Sequence, residues 1–85
     1  NQIQNLKLNM INCEINYYNL NELKEIKKNI NNISVIKNYN IKSISNKKIE
    51  YDIFFYGNFK ILNNLFNIHK LKINYTSNIC KISLI

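Results

Sequence analysis

Ile49-Glu-Tyr-Asp-Ile-Phe-Phe-Tyr-Gly-Asn-Phe-Lys-Ile-Leu-Asn-Asn-Leu-Phe66 changes its period in mid-run. Up to Tyr56 the apolar residues alternate. Ile49, Tyr51, Ile53 and Phe55 fall on one face of a strand, and Glu50, Asp52, Phe54 and Tyr56 on the other, so the first set is expected to face a core. From Phe59 onward the spacing is helical: Phe59, Leu62, Leu65 and Phe66, with Ile61 and Ile68, form a broad apolar stripe. Between the two periods stands Gly57, the only glycine of the chain. Lacking a Cβ, it admits the sharp backbone turn that a strand-to-helix junction needs. Asn58, next in line, is suited to cap the helix.

Upstream, Ser45-Asn46-Lys47-Lys48 reads as a turn. It joins this strand to one running from Ile33 through Val35, Tyr39 and Ile41, interrupted by Lys37, as an antiparallel hairpin exposed on one side. Before that, Asn19 and Glu22 have the spacing of a capping box, with Tyr18 and Leu23 placed for a hydrophobic staple. Leu20, Leu23, Ile26 and Ile30 continue as a helix, which stops where Asn31 and Asn32 tolerate left-handed backbone. At the start, Leu6, Leu8 and Met10 alternate on one parity and Ile11, Cys13, Ile15 and Tyr17 on the other, which suggests a strand bulged near residues 9–11. Downstream, His69 and Lys70 suit a helix C-terminus. Leu71, Ile73 and Tyr75 alternate, Thr76-Ser77-Asn78 turns, and Cys80, Ile82 and Leu84 alternate to the end.

The order strand, helix, strand, strand, helix, strand is the split β-α-β pattern. It predicts a ferredoxin-like α+β domain (βαββαβ) spanning residues 1–85. Its sheet is expected to be antiparallel, in the order fourth, first, third, second, with both helices on one face and a small extra hairpin near the C-terminus. A chain of 85 residues has room for one core and buries roughly 60–65% of its unfolded surface.

Composition narrows function less than usual. Asn, Ile, Lys, Tyr and Phe, whose codons are AT-rich, dominate, while Ala, Arg, Pro and Trp are absent. The net charge of +7 comes entirely from lysine, scattered from Lys7 to Lys81. Readers of phosphate favour the bidentate fork of arginine, so the charge is read first as a solvated surface and second as a polyanion site. No apolar run reaches the roughly 18 residues of a spanning helix. The chain opens on Asn1 and is expected to be part of a longer protein.

No constellation of residues points to catalysis, a metal or a cofactor. A phosphate cradle needs several glycines, and the arginine on which acylphosphatase chemistry depends is missing. His69 has no partner close in sequence. Met10-Ile-Asn-Cys13 lacks the second cysteine that a heavy-metal loop of this topology requires, since Asn16 stands in its place. Cys13 and Cys80 fall on strands expected to be neighbours and share parity with core isoleucines. The first expectation is that they pack as small free hydrophobes; a disulfide is the alternative. The candidate binding surface is the open sheet face, with Phe54, Tyr56, Glu50 and Asp52. Phe54 and Tyr56 alternate where RNA-recognition motifs place base-stacking rings, but the strand is acidic at its start where that family is basic. Asn32-Ile-Ser and Asn74-Tyr-Thr match the glycosylation sequon, which arises by chance in so asparagine-rich a chain.

From Asn19 to Leu84 the chain resembles an uncharacterised proteobacterial envelope family catalogued as domain of unknown function 2066. The similarity lies in the capped helix, Ile33-Ser-Val-Ile, Ile41-Lys-Ser-Ile-Ser, Ile53-Phe-Phe-Tyr-Gly and Leu62-Asn-Asn-Leu. The tryptophan common near that family's end is absent here. The resemblance implies an exported protein of the periplasm or cell envelope and supplies no catalytic residues. The expected function is a non-catalytic binding or assembly module that meets another domain or protein. An RNA- or ribosome-associated domain is the alternative, and a small-molecule regulatory domain the third reading.

Overall fold

Seven elements follow one another in the computed structural model, which describes residues 7–85. They are β1 (Leu8–Asn16), α1 (Leu20–Asn31), β2 (Ile36–Ser45), β3 (Lys48–Tyr56), α2 (Phe59–Ile68), β4 (Leu71–Thr76) and β5 (Ile79–Leu84). Leu6, with which the first alternation was read to begin, lies outside the described residues.

The helix starts are set by side chains read from the sequence. Asn19 Oδ1 accepts the N–H of Glu22 at 2.9 Å, and Asn58 Oδ1 that of Ile61 at 2.9 Å, each satisfying a donor that the first helical turn leaves free. The Glu22 carboxylate reaches one residue beyond the usual reciprocal bond, to the N–H of Tyr18 at 2.6 Å. The expected staple is not formed: Tyr18 is 77% exposed, with the Lys47 ammonium 5.4 Å from its ring centre. Gly57 has φ 98°, in the region that favours glycine, and the turn is pinned by Asn9 Nδ2 donating to its carbonyl at 2.6 Å. At the end of α1, Asn32 stays right-handed at φ −88°, its N–H turned back to the carbonyl of Asn29 at 3.2 Å and that of Ile33 to the carbonyl of Ile30 at 3.0 Å. The helix stops where expected without the left-handed residue.

The five strands form one mixed sheet in the order β2-β3-β1-β5-β4, which overturns the ferredoxin-like expectation. β5 lies beside β1, the neighbour expected for the strand of Cys80, but the two run parallel where an antiparallel sheet was expected, Cys13 facing Cys80 and Ile15 facing Ile82. The physical reason lies in the last hairpin. It is no small appendage: β4 and β5 pair along six residues, from Leu71 opposite Leu84 to Thr76 opposite Ile79. Ser77 and Asn78, at φ 51° and 64°, have the two left-handed residues of a tight hairpin turn. The chain leaving α2 therefore lays β4 down as the outer edge and returns β5 inside it.

Two further local corrections concern bulges. β1 pairs with β3 without a slip from Leu8 opposite Tyr56 to Asn16 opposite Lys48, so β1 carries no bulge. The register shifts instead fall on β2, between Ile36 and Asn38 and between Ile41 and Ser43. Ile33 and Val35, read as strand residues, are buried in the segment before β2.

One core lies between the helices and one face of the sheet. Ile49, Tyr51, Ile53 and Phe55 of β3 meet Cys13 and Ile15 of β1, Leu71 and Ile73 of β4, and Cys80 and Ile82 of β5. Leu23, Ile26 and Ile30 of α1 and Leu62 and Phe66 of α2 close over them. Ile61 and Ile68, counted in the α2 stripe, are 38% and 69% exposed, so its buried band is narrower than the apolar one.

The cysteines are not free. Cys13 and Cys80 form a disulfide, with Cα atoms 4.5 Å apart and a separation of 67 positions in sequence. Shared parity sent both thiols into the core; the parallel register places them directly opposite one another. The bond is closed off from solvent, both residues being buried.

Candidate functional site

The sheet face away from the helices is built by the even-numbered residues of β1 and β3. Their antiparallel register sets Tyr56 beside Leu8, Phe54 beside Met10, Asp52 beside Asn12 and Glu50 beside Glu14. Directly opposed residues in such a pair have Cβ atoms roughly 4.5–5.5 Å apart, so each couple forms one contact surface. Phe54 and Tyr56 are partly exposed, and Leu8 and Met10 are 39% and 54% exposed. Apolar side chains thus gather at the end of the sheet near Gly57, on a side that no helix covers among the described residues.

Toward the other end the same face becomes charged, with Lys48 opposite Asn16, and with Lys72 and Lys81, of opposite parity to the buried Leu71, Ile73, Cys80 and Ile82, on the neighbouring strands. Asn12 Nδ2 donates to Asp52 Oδ1 at 3.1 Å and fixes that carboxylate. Asn16 Nδ2 donates to Glu14 Oε2 at 2.9 Å. Glu14 also faces Lys81 across the parallel seam. Three of the five carboxylates of the chain, Glu14, Glu50 and Asp52, therefore stand together on this face of a protein with net charge +7.

The four residues singled out from the sequence, Phe54, Tyr56, Glu50 and Asp52, are brought onto this one face. Sequence reading missed Leu8, Met10, Asn12 and Glu14. The signal was present in the opposite parity of Leu8 and Met10, which was explained by a bulge when it marked apolar residues on both faces. His69 closes α2, its N–H donating to the carbonyls of Leu65 and Phe66 at 3.1 Å each. Among the described residues, no group of three or more His, Cys, Asp or Glu side chains is arranged to hold a metal ion, and no helix is long and apolar enough to cross a membrane.

A second concavity lies on the helix side. A cavity of about 310 Å³ is lined by Ile30, Asn31, Ile33, Ile36, Lys37 and Tyr39, at the end of α1 and the start of β2. Tyr39 donates its hydroxyl to Asn31 Oδ1 at 2.8 Å, tying the helix end to the strand. The Tyr39 ring stands edge-on to Tyr51, centres 5.1 Å apart. Comparison with protein-family models, with curated proteins and with solved structures gave no match to this chain.

Proposed function

We propose that this domain is a non-catalytic binding or assembly module of a larger, exported protein, and that it meets another domain or protein through the open sheet face. The observation that carries this reading is the contiguity of Leu8, Met10, Phe54 and Tyr56 beside the carboxylates of Asp52, Glu50 and Glu14. A partly exposed apolar cluster rimmed by polar groups has the anatomy of an interface. The acidic row would select a partner that is basic beside its apolar anchor. Export is supported by the buried disulfide, because such bonds form and persist in oxidising compartments.

Oxidative footprinting tests the reading. Met10 and Tyr56 are reactive toward hydroxyl radicals when exposed, so their modification is compared between the isolated domain and the native full-length protein or its assembly. Protection of both by several-fold, lost in a Phe54→Asp variant that keeps its fold, is the expected outcome. Equal labelling in the two settings would sink the proposal.

A further inference from the structure

β2 is an outer strand, and among the described residues nothing pairs with its free side. Its longest regular stretch is Asn38 to Ile41, paired on its inner side with Phe54 to Tyr51 of β3. Each end of that stretch carries a bulge. The residues left without a partner in the register are Lys37 and Lys42. Tyr39, Ile41 and Ile44 point to the helix side, opposite Ile53, Tyr51 and Ile49, yet Ile41 and Ile44 remain 54% and 65% exposed. The helix layer thus stops short of the second half of β2. The side of α1 above this shelf is marked by Asn31, which holds Tyr39. One and two turns earlier on the same side stand Lys27 and Lys24. Glu22, bonded to Tyr18, and Glu25 lie elsewhere around the helix, and β2 contains no carboxylate.

We infer that this edge is a docking site for an extended acidic protein segment, which adds to β2 as a sixth strand. The edge supplies unpaired backbone donors and acceptors. The exposed isoleucines supply an apolar shelf, and the lysines supply the sign of charge that the occupant must answer. Lysines and bulges on an outer strand also repel unwanted strands. On a chain of charge +7 they act against a second copy of the same edge, so the guard against self-pairing is also the selector for an acidic partner. The occupant's pattern follows from the register: a centre of about four residues with apolar side chains toward the shelf, and an acidic residue at each end to meet Lys37 and Lys42. A nucleic acid fits less well, because the chain has no arginine and the Tyr39 ring is held between Asn31 and Tyr51 and not offered for stacking. This site is separate from the open face and stands or falls independently of it.

The test uses a fluorescein-labelled peptide, Ser-Glu-Val-Thr-Ile-Thr-Asp-Ser, with a version carrying lysine in place of its acids and a single-stranded oligouridine as the comparison ligands. The acidic peptide is expected to bind in the micromolar range, more weakly as salt rises, and to slow amide exchange at residues 38–41. The paired substitution Lys37→Glu with Lys42→Glu, which leaves the core untouched, should weaken the acidic peptide about tenfold and let the lysine peptide bind in its place. The inference is overturned by absence of binding at millimolar peptide, by protection confined to β4 or to the open face, by indifference to the charge swap, or by oligouridine binding more tightly than the peptide.

Discussion

At the scale of single residues, Tyr51 is the place where this core is least satisfied. Its ring is buried at the centre of the sheet, 2% exposed, and its hydroxyl has no hydrogen-bond partner among the described residues. A buried hydroxyl without a partner forfeits the bond it made with water and gains none in return. Tyr51→Phe should therefore stabilise the domain by about 1 kcal/mol, raising Tm by roughly 4–8 °C, as calorimetry would record. The same residue gives a pH dependence. Burial first, and then repulsion from ionised Tyr39 and Tyr17, push its phenol above the ordinary 10.0. The folded state then holds this proton more tightly than the unfolded chain, so the stability contribution is complete below about pH 10 and falls as pH rises past it. Denaturation midpoints measured from pH 8 to 11 should drop less steeply for Tyr51→Phe than for the parent. Parallel curves would show that Tyr51 is not the group responsible. Nothing in the sequence announced this, because alternation assigns a side chain to a face and says nothing of whether a polar tip finds a partner there. By contrast Asn19, Gly57 and Asn58 were legible, since capping and left-handed turns are local and depend on residues within a few positions.

Elements were legible where periodicity was clean and misread where two faces carry apolar residues. β3 and α2 came from one period change. The β4–β5 hairpin was also visible, and its Cys80 strand was expected beside β1, but not the direction in which that strand runs. Leu71, Ile73, Cys80 and Ile82 face the core whichever way their strands run, so parity could not tell a parallel neighbour of β1 from an antiparallel one. The same limit applied to the cysteines: their faces could be read, their register could not, and it is the register that makes the bond. The hairpin turn is where this element can be improved. Ser77 is forced into left-handed backbone at φ 51° ahead of Asn78 at 64°, a conformation that costs most residues roughly 1–2 kcal/mol. Replacing the pair by Asn-Gly, as Ser77→Asn with Asn78→Gly, should stabilise the domain by about 1 kcal/mol. Urea titration checks this, and a lower midpoint would mean that the turn is not the strained type described.

The molecule as a whole is a three-stranded antiparallel sheet, β2-β3-β1, with α1, to which the unit α2-β4-β5 is joined along a short parallel seam. That seam pairs only residues 13–15 with 80–82 and contains the disulfide at its first step. Parallel strands whose ends are far apart in sequence pay a large loop-closure entropy before any contact between them forms. The cross-link removes most of that entropy from the unfolded chain. For a loop of 67 residues, the chain-entropy model puts its contribution at about 4 kcal/mol, a large share of the 5–15 kcal/mol typical of folded domains. Reduction, or Cys13→Ala with Cys80→Ala, should therefore lower the urea midpoint far more than any surface change. The loss should also be uneven in space. Amide exchange in residues 71–84 should accelerate before that in β1 and β3, because the β1–β3 ladder keeps its nine-residue pairing without the bond. If reduced and oxidised proteins unfold at the same urea concentration, or if β2 and β3 lose protection first, the seam is not the joint on which the fold depends.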